Sequence, residues 1–179
     1  MLSSLTLKDA EATNVFGLSL ANAAKRHIDA IRAAGMHINL AGDLGAGKTA
    51  LVRAMLRALG ATGTVKSPTF ALLEPYTVSR LDFYHFDFYR LKAGEFGGTG
   101  FRELFGRGRV CAVEWPERAG PRLPTADISI RLMVDGDGRL ATISTASELG
   151  EACLRQAMIE FEASGGVSSP PAAARSSSP

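Results

Sequence analysis

The eight residues GDLGAGKT, numbers 42–49, decide how this chain is interpreted. They match the pattern G-x-x-x-x-G-K-[ST] of a phosphate-binding loop. The glycines permit backbone conformations that side chains disfavour, so successive N–H groups can point inward and surround an anion. Lys48 can reach the outer phosphates of a nucleotide, and the Thr49 hydroxyl suits Mg²⁺, which prefers oxygen ligands. The loop residues predicted to bind a nucleotide are Gly42, Asp43, Leu44, Gly45, Ala46, Gly47, Lys48 and Thr49.

The flanking sequence places this loop between a strand and a helix. Residues 36–42, MHINLAG, are short and apolar enough for a buried strand. A helix that begins near Lys48 adds the positive end of its dipole to the loop. A glycine-rich turn without a ligand is the alternative, but it leaves the pair of Lys48 and Thr49 unexplained. The apolar residues that share one face of the predicted helix are Leu51, Val52, Met55, Leu56 and Leu59.

Two further segments have helical periodicity. Residues 9–34 form the first, with Thr6 and Asp9 as a capping signature at its start and Gly35 at its end. Residues 147–161 are predicted to form a closing helix.

The middle of the chain is rich in strand-forming residues. Two alternating runs are joined by DGDG at 135–138, which is a strong hairpin signal. We therefore expect an α/β fold of the P-loop NTPase type, with a mixed, mainly parallel sheet flanked by helices and a C-terminal antiparallel hairpin. The strand-rich runs before the hairpin are residues 70–78, 81–89 and 109–115.

Length and composition indicate one domain and exclude some functions. Residues 1–162 are predicted to form the P-loop ATPase domain, and residues 163–179, almost all Ala, Ser, Gly and Pro, a disordered tail. The formal net charge of +2 is too small to argue for nucleic-acid binding by field strength alone. No secretory signal and no run of 18 apolar residues is present, so we expect a cytoplasmic protein without a membrane span. Cys111 lies in an apolar run and is predicted to be a buried thiol.

A magnesium–nucleotide site also needs an acidic residue at the end of a neighbouring strand. Glu114 ends the apolar run VCAVE, and Asp87 lies near the end of YHFD. Because ligands of open α/β sheets bind at the carboxyl ends of the strands, both side chains are candidates. Each could instead cap a helix or form a surface ion pair.

The roles of three other features are not decided by the residues alone. The segment KSPT, residues 66–69, lies where nucleotide switches place a mobile segment, although an ordinary Ser-Pro turn explains it equally simply. His85 lies between aromatic residues and is predicted to be a hydrogen-bonded core histidine rather than a base. Trp115 either stacks on a nucleotide base or fills the core.

Several motifs together resemble the TsaE (YjeE) family, bacterial ATPases that act in the synthesis of threonylcarbamoyladenosine in tRNA. These motifs are NLAGDLGAGKT, GTVKSPTFALLEPY, YHFDFYRL and VEWPER, followed by the alternating DISIRL. They occur in this order within residues 6–145. The chain departs from the family after YRL, where an acidic D-P-E-E-L helix is usual. Gly97 and Gly98 replace helix formers there, so we expect that stretch to be looser and to alter partner docking.

The resemblance implies MgATP binding and slow hydrolysis. It associates Lys48 and Thr49 with phosphate and Mg²⁺, Glu114 with Mg²⁺, and Asp87 with hydrolysis and the metal. The predicted catalytic residues are therefore Lys48, Asp87 and Glu114, and the predicted metal ligands are Thr49, Glu114 and Asp87. The residues that the resemblance adds to the nucleotide site are Ser67, Thr69, Trp115 and Thr13, of which Thr13 is assigned to the adenine pocket.

The resemblance also implies partners. TsaE proteins bind a complex of TsaD, which transfers the threonylcarbamoyl group, and TsaB, its scaffold; tRNA is reached through that complex. Two alternatives are a small-metabolite P-loop kinase and an adaptor that binds nucleotide without hydrolysing it. A kinase needs an arginine-bearing lid, and the candidates Arg102 and Arg107 lie in a short, glycine-broken segment that makes a poor one.

Overall fold

The computed structural model describes residues 2–169, which form an eight-stranded sheet and four α-helices. The strands are β1 (Leu2–Leu7), β2 (Met36–Ala41), β3 (Leu73–Val78), β4 (Leu81–Asp87), β5 (Arg109–Glu114), β6 (Ile128–Asp135), β7 (Gly138–Thr145) and β8 (Val167–Ser169). The helices are α1 (Ala10–Arg26), α2 (Ile28–Ala34), α3 (Lys48–Ala58) and α4 (Glu148–Ala163). Short 3₁₀ turns cover Glu95–Gly98, Phe101–Leu104, Pro116–Arg118 and Gly120–Arg122.

The sheet is parallel at its centre and antiparallel towards its edges. Its strand order is β3-β4-β5-β2-β6-β7-β1-β8. Three parallel pairings join β4, β5, β2 and β6, and four antiparallel pairings join the remaining neighbours. The mixed α/β fold and the β6–β7 hairpin are confirmed. The parallel block matters most for function, because it brings the carboxyl ends of β2, β4 and β5 to one edge.

Each face of the sheet has its own apolar core, because neighbouring strand residues point to opposite sides. In β5, Val110 and Ala112 belong to the larger core, which α1, α3 and α4 cover. Cys111 and Val113 belong to a smaller core on the other face, beneath residues 88–123. Cys111 is buried as predicted, and burial raises the pKa of its thiol to about 12.

The predicted long helix is two helices. The chain breaks between α1 and α2 at His27, and Gly35, with φ 87°, ends α2 as expected. Asp9 caps α1, because its carboxylate accepts from the Ala12 N–H at 2.7 Å. The prediction that Thr6 takes part in the cap is wrong, since Thr6 lies within β1 and pairs with Leu140.

The predicted disordered tail begins too early. Ala163 is the last residue of α4, and Val167–Ser169 forms β8, whose backbone pairs with β1. The prediction is therefore wrong for residues 163–169, and the rest of that segment, residues 170–179, lies outside the described residues. Within residues 2–169, no helix combines the length and the apolar character needed to cross a membrane.

The segment that carries Gly97 and Gly98 consists of 3₁₀ turns. The family that the sequence resembles usually has an α-helix at this place. It is nevertheless anchored, because Phe96 is buried and its ring contacts Phe88 edge-on with the centroids 5.6 Å apart. This anchored segment covers the smaller core beside β4 and β5.

Candidate nucleotide-binding site

The loop between β2 and α3 has the backbone that its glycines predict. Gly42, Gly45 and Gly47 have φ values of 134°, 80° and 105°, which side chains disfavour. A Cβ on Gly42 would lie 2.2 Å from the Leu132 carbonyl oxygen, so a side chain cannot fit there. Gly47 is the N-cap of α3, and the first helical bond runs from Leu51 N–H to the Gly47 carbonyl at 3.0 Å. The N–H groups of the first helical turn are therefore free of intrahelical partners.

Lys48 lies folded across this loop. Its Nζ donates to the carbonyl oxygens of Gly42 at 2.6 Å and Asp43 at 2.8 Å, and it lies 3.9 Å from the centroid of the Trp115 ring. Burial lowers the pKa of Lys48, and the nearby carboxylates, Glu114 foremost, oppose that shift. The ammonium group is therefore held inside the site rather than in solvent.

Glu114 ends β5 as a buried carboxylate next to the loop. Thr49 Oγ1 donates to its two oxygens at 2.8 and 3.0 Å. His85 Nε2 lies 2.8 Å from Glu114 Oε1, so the predicted hydrogen-bonded core histidine is confirmed. The sequence did not indicate that its partner would be Glu114, because that contact depends on the register of β4 against β5.

Asp87 lies beside Glu114, since the two are paired across β4 and β5. Its Oδ2 accepts from the Ser67 hydroxyl and from Thr69 Oγ1, the latter at 2.8 Å, and its Oδ1 accepts from the Tyr89 N–H at 2.9 Å. Asp87 is only 3% exposed. The KSPT segment is therefore tied to the site carboxylate and is more than a surface turn.

A cavity of about 370 Å³ brings these groups together, a size within the usual range for small-molecule sites. Of the predicted residues, Leu44, Gly45, Gly47, Lys48, Thr49, Ser67, Thr69, Asp87, Glu114 and Trp115 line it. A groove of about 670 Å³ lies elsewhere, along β6 and β7, but it lacks Lys48, Asp87 and Glu114. We take the smaller cavity as the functional site because charged and hydroxyl groups converge on it.

The remaining predicted residues lie around this cavity. Gly42, Asp43 and Ala46 belong to the loop, and the first two hold Lys48 through their carbonyl groups. Thr13 is buried in α1, and its Cγ2 lies 3.9 Å from where a Gly47 Cβ would be. The structure thus brings Thr13 to the loop, and its assignment to an adenine pocket stays a prediction.

Two arginines at the site were not predicted. Arg53, one turn after Thr49 in α3, lines the cavity and donates to the Val65 carbonyl at 3.0 Å. Arg139, at the start of β7, donates to the Ala46 carbonyl at 2.8 Å and the Gly45 carbonyl at 3.2 Å. The polar face of the helix pattern offered a signal for Arg53, whereas no local motif marks Arg139. Arg102, considered for a lid, donates instead to the Arg122 carbonyl at 2.6 Å.

Trp115 is held in an unusual backbone conformation at the end of β5. Its φ of 57° is rare for a bulky residue, and its ring lies 5.1 Å from that of Tyr89. The backbone N–H of Trp115 donates to the Leu40 carbonyl of β2 at 3.2 Å. The indole therefore forms part of the cavity wall over Lys48 and also packs against the smaller core.

The chain resembles proteins of one family over most of its length. Residues 7–141 match the family model described as "Threonylcarbamoyl adenosine biosynthesis protein TsaE". A Haemophilus influenzae protein named tRNA threonylcarbamoyladenosine biosynthesis protein TsaE is 41% identical over 115 residues, which are 64% of this chain and 73% of that one. The Bacillus subtilis protein of the same name is 37% identical over 109 residues, covering 61% and 68% of the two chains.

A solved structure agrees with the sequence comparisons. The crystal structure of Bacillus subtilis YdiB superposes with a TM-score of 0.69 at 26% identity, covering 89% of this chain and 95% of that one. The matched region contains the phosphate-loop motif, the KSPT segment and both site carboxylates. The fold, the motifs and the relatives lead to one conclusion: the chain belongs to the TsaE family of threonylcarbamoyl adenosine biosynthesis proteins.

Proposed function

We propose that this protein binds MgATP and hydrolyses it as an accessory ATPase in threonylcarbamoyladenosine synthesis. The observation that carries the proposal is the hydrogen bond from Thr49 Oγ1, in the phosphate loop, to Glu114, a buried carboxylate at the end of the adjacent strand. A hydroxyl and a carboxylate at this junction are the usual protein ligands of a nucleotide-bound Mg²⁺.

The oxygen donors of the site fit magnesium better than a metal that needs a full protein cage. Within residues 2–169 no group of three or more His, Cys, Asp or Glu side chains is arranged to hold a metal. Mg²⁺ typically takes one or two carboxylates and completes its shell with water and phosphate oxygens. Thr49, Glu114 and Asp87 would hold it, and when bound it would neutralise charge on the phosphates.

The side chains divide the remaining work. Lys48 supplies a positive charge to the outer phosphates, after exchanging the carbonyl groups of Gly42 and Asp43 for phosphate oxygens. The free N–H groups of the loop and of the first turn of α3 bind the same oxygens. Asp87 orients the attacking water, and the hydroxyls of Ser67 and Thr69 hold its carboxylate in place.

Partner association is the second part of the proposal. We propose that the chain acts on a TsaD–TsaB complex, and through it on tRNA, because it belongs to the TsaE family. Two large apolar side chains next to the site support a docking role: Leu44 in the phosphate loop is 76% exposed, and Phe70 in the KSPTF segment is 83% exposed. Exposed apolar groups at a site rim are typical of surfaces that a partner covers.

The test is a phosphate-release assay of the purified chain with MgATP, with and without a TsaD–TsaB complex, together with a tRNA modification assay from which the chain is omitted. We expect slow release alone, faster release with the partners, and loss of modification without the chain. Tight ATP binding without release under either condition would indicate an adaptor. Phosphate transferred to a metabolite would indicate a kinase.

A further inference from the structure

Arg139 reaches the phosphate loop from a distant part of the chain. It is the second residue of β7, directly after the hairpin turn, and lies 93 positions from Ala46. Its Nε donates to the Ala46 carbonyl at 2.8 Å and its Nη2 to the Gly45 carbonyl at 3.2 Å. Its Nη1 donates to the Gly138 carbonyl at 2.7 Å, which fixes the guanidinium on its own strand.

These contacts determine where the loop amides point. A trans peptide unit directs its C=O and the following N–H in opposite directions. With the Ala46 carbonyl held by Arg139, the Gly47 N–H must face away from the guanidinium. Within residues 2–169 that N–H donates to no backbone carbonyl, so it is a free donor for an anion.

The chemistry of arginine suits this role. A guanidinium stays charged, has a planar set of donors and accepts no hydrogen bonds, so it can grip two adjacent carbonyl oxygens at once. The loop has three residues with positive φ and needs an external constraint to hold one conformation. Lys48 supplies contacts to Gly42 and Asp43, but phosphate binding would remove these. The contacts of Arg139 lie on carbonyl groups and do not compete with phosphate for loop amides.

We propose that Arg139 is a positioning residue that keeps the phosphate loop in its anion-binding conformation by holding the Gly45 and Ala46 carbonyl groups. The inference rests on the proposed nucleotide function and adds to it a residue outside the loop motif. A residue in this role affects the binding of any polyphosphate, because it acts on the loop and not on the nucleoside.

The experiment compares Arg139→Ala, Arg139→Lys and Arg131→Ala with the unaltered full-length chain. Arg131 is an exposed arginine of β6 in the same hairpin, and its side chain lines the groove along β6 and β7, so it controls for loss of one positive charge. Dissociation constants are measured by calorimetry for MgATP and for magnesium tripolyphosphate, which has no nucleoside. The melting temperature of each free protein and the Gly47 amide signal in the nitrogen–proton spectrum are also recorded.

We expect Arg139→Ala to weaken both ligands by a similar factor, on the order of 10- to 100-fold, since two charged hydrogen bonds are lost. The free Arg139→Ala and Arg131→Ala variants should melt close together, and the ligand-induced shift of the Gly47 amide should shrink in Arg139→Ala alone. Arg139→Lys should recover part of the affinity, because an ammonium keeps the charge but cannot hold both carbonyl groups in one plane. If Arg139→Ala does not fold, Arg139→Lys still tests the role, because lysine keeps the charge but not the paired donors.

Three results would overturn the inference. In the first, Arg139→Ala binds both ligands as tightly as Arg131→Ala does. In the second, it loses ATP but keeps tripolyphosphate, which would place Arg139 against the nucleoside. In the third, Arg139→Lys restores full affinity, which would reduce the role to charge. If the unaltered chain binds neither ligand, the proposed nucleotide function fails by itself.

Discussion

Thr49 Oγ1 donates to Glu114 Oε1 at 2.8 Å, which joins the first turn of α3 to the last residue of β5. The contact follows from the order of the sheet, because β2 and β5 are parallel neighbours and Leu40 pairs with Glu114. The loop that leaves β2 therefore turns back over the end of β5. This junction puts a hydroxyl and a buried carboxylate in one place, where we propose that the magnesium of a bound nucleotide lies.

The first prediction concerns the Thr49 hydroxyl. Thr49→Val keeps the shape of the side chain but removes the donor to Glu114, whereas Thr49→Ser keeps the hydroxyl. We expect Thr49→Val to lose the gain in ATP affinity that magnesium provides and Thr49→Ser to keep most of it. Calorimetric titration of ATP with magnesium and with a chelator measures this gain directly. Retention of this gain in Thr49→Val, or its loss in Thr49→Ser, would show that the hydroxyl is not the group on which the gain depends.

The second prediction separates binding from hydrolysis. Lys48→Ala removes the positive charge from the cavity, and we expect ATP affinity to fall by about tenfold or more. Asp87→Asn keeps the shape of the side chain that Ser67 and Thr69 contact and one oxygen that can still serve as a Mg²⁺ ligand, so we expect near-normal affinity with hydrolysis reduced by about 10²- to 10⁴-fold. Calorimetry gives the affinities, and phosphate release in the presence of the partner complex gives the rates. Equal losses of binding in the two variants would contradict this division of roles.

The sequence predicted those parts of the site that local spacing determines. The order of strand, glycine loop and helix is set by residues 36–59, and the structure has each in its predicted place. Glu114 and Asp87 could be recognised because strands carry their last residues to a common edge. Their position as register partners at the ends of β4 and β5 is likewise a result of parallel pairing.

Long-range pairing explains what the sequence did not predict. Arg139 lies far from the loop in the chain, and only the placement of β7 beside β6, which itself pairs with β2, brings it to Ala46. β1 was missed because Thr6 and Asp9 also fit a helix cap, and its partner β7 lies over 130 residues away. The break at His27 was hidden because α1 and α2 continue the same apolar periodicity.

The third prediction compares two glycines of the phosphate loop. Gly42→Ala would place a Cβ 2.2 Å from the Leu132 carbonyl oxygen at a φ of 134°, whereas a Cβ on Gly45, at a φ of 80°, meets nothing within 4 Å. We expect Gly42→Ala to lower the free energy of unfolding by about 2–4 kcal/mol, since a clash adds to the backbone strain. Gly45→Ala should cost about 1–2 kcal/mol, from the backbone alone.

Urea denaturation of the two glycine variants and the unaltered chain provides the measurement. The comparison is matched, because both changes add one methyl group to the same loop. A cost for Gly45→Ala that equals or exceeds the cost for Gly42→Ala would show that the Leu132 carbonyl does not restrict the loop. Such a result would also mean that the loop tolerates a side chain less well at Gly45, towards α3, than at Gly42, next to β2.

The last prediction concerns pH. His37 in β2 is buried, its ring contacts Phe105 edge-on with the centroids 4.7 Å apart, and burial lowers its pKa from 6.5 to about 4. The unfolded chain then binds a proton more tightly than the folded chain, so stability is unaffected well above pH 6.5 and falls as the pH drops from there towards 4. Between pH 7 and pH 5 we expect His37 to account for a loss of about 2 kcal/mol.

His37→Gln isolates this contribution, because glutamine does not titrate. Urea denaturation at pH 7 and pH 5 should show a smaller drop in the variant than in the unaltered chain, by about 2 kcal/mol. The carboxylates contribute to the pH dependence of both proteins, so only the difference between them reports on the histidine. If the two proteins lose the same stability between these pH values, the imidazole accepts its proton as readily in the folded chain as in the unfolded one, and burial beside Phe105 does not keep it neutral.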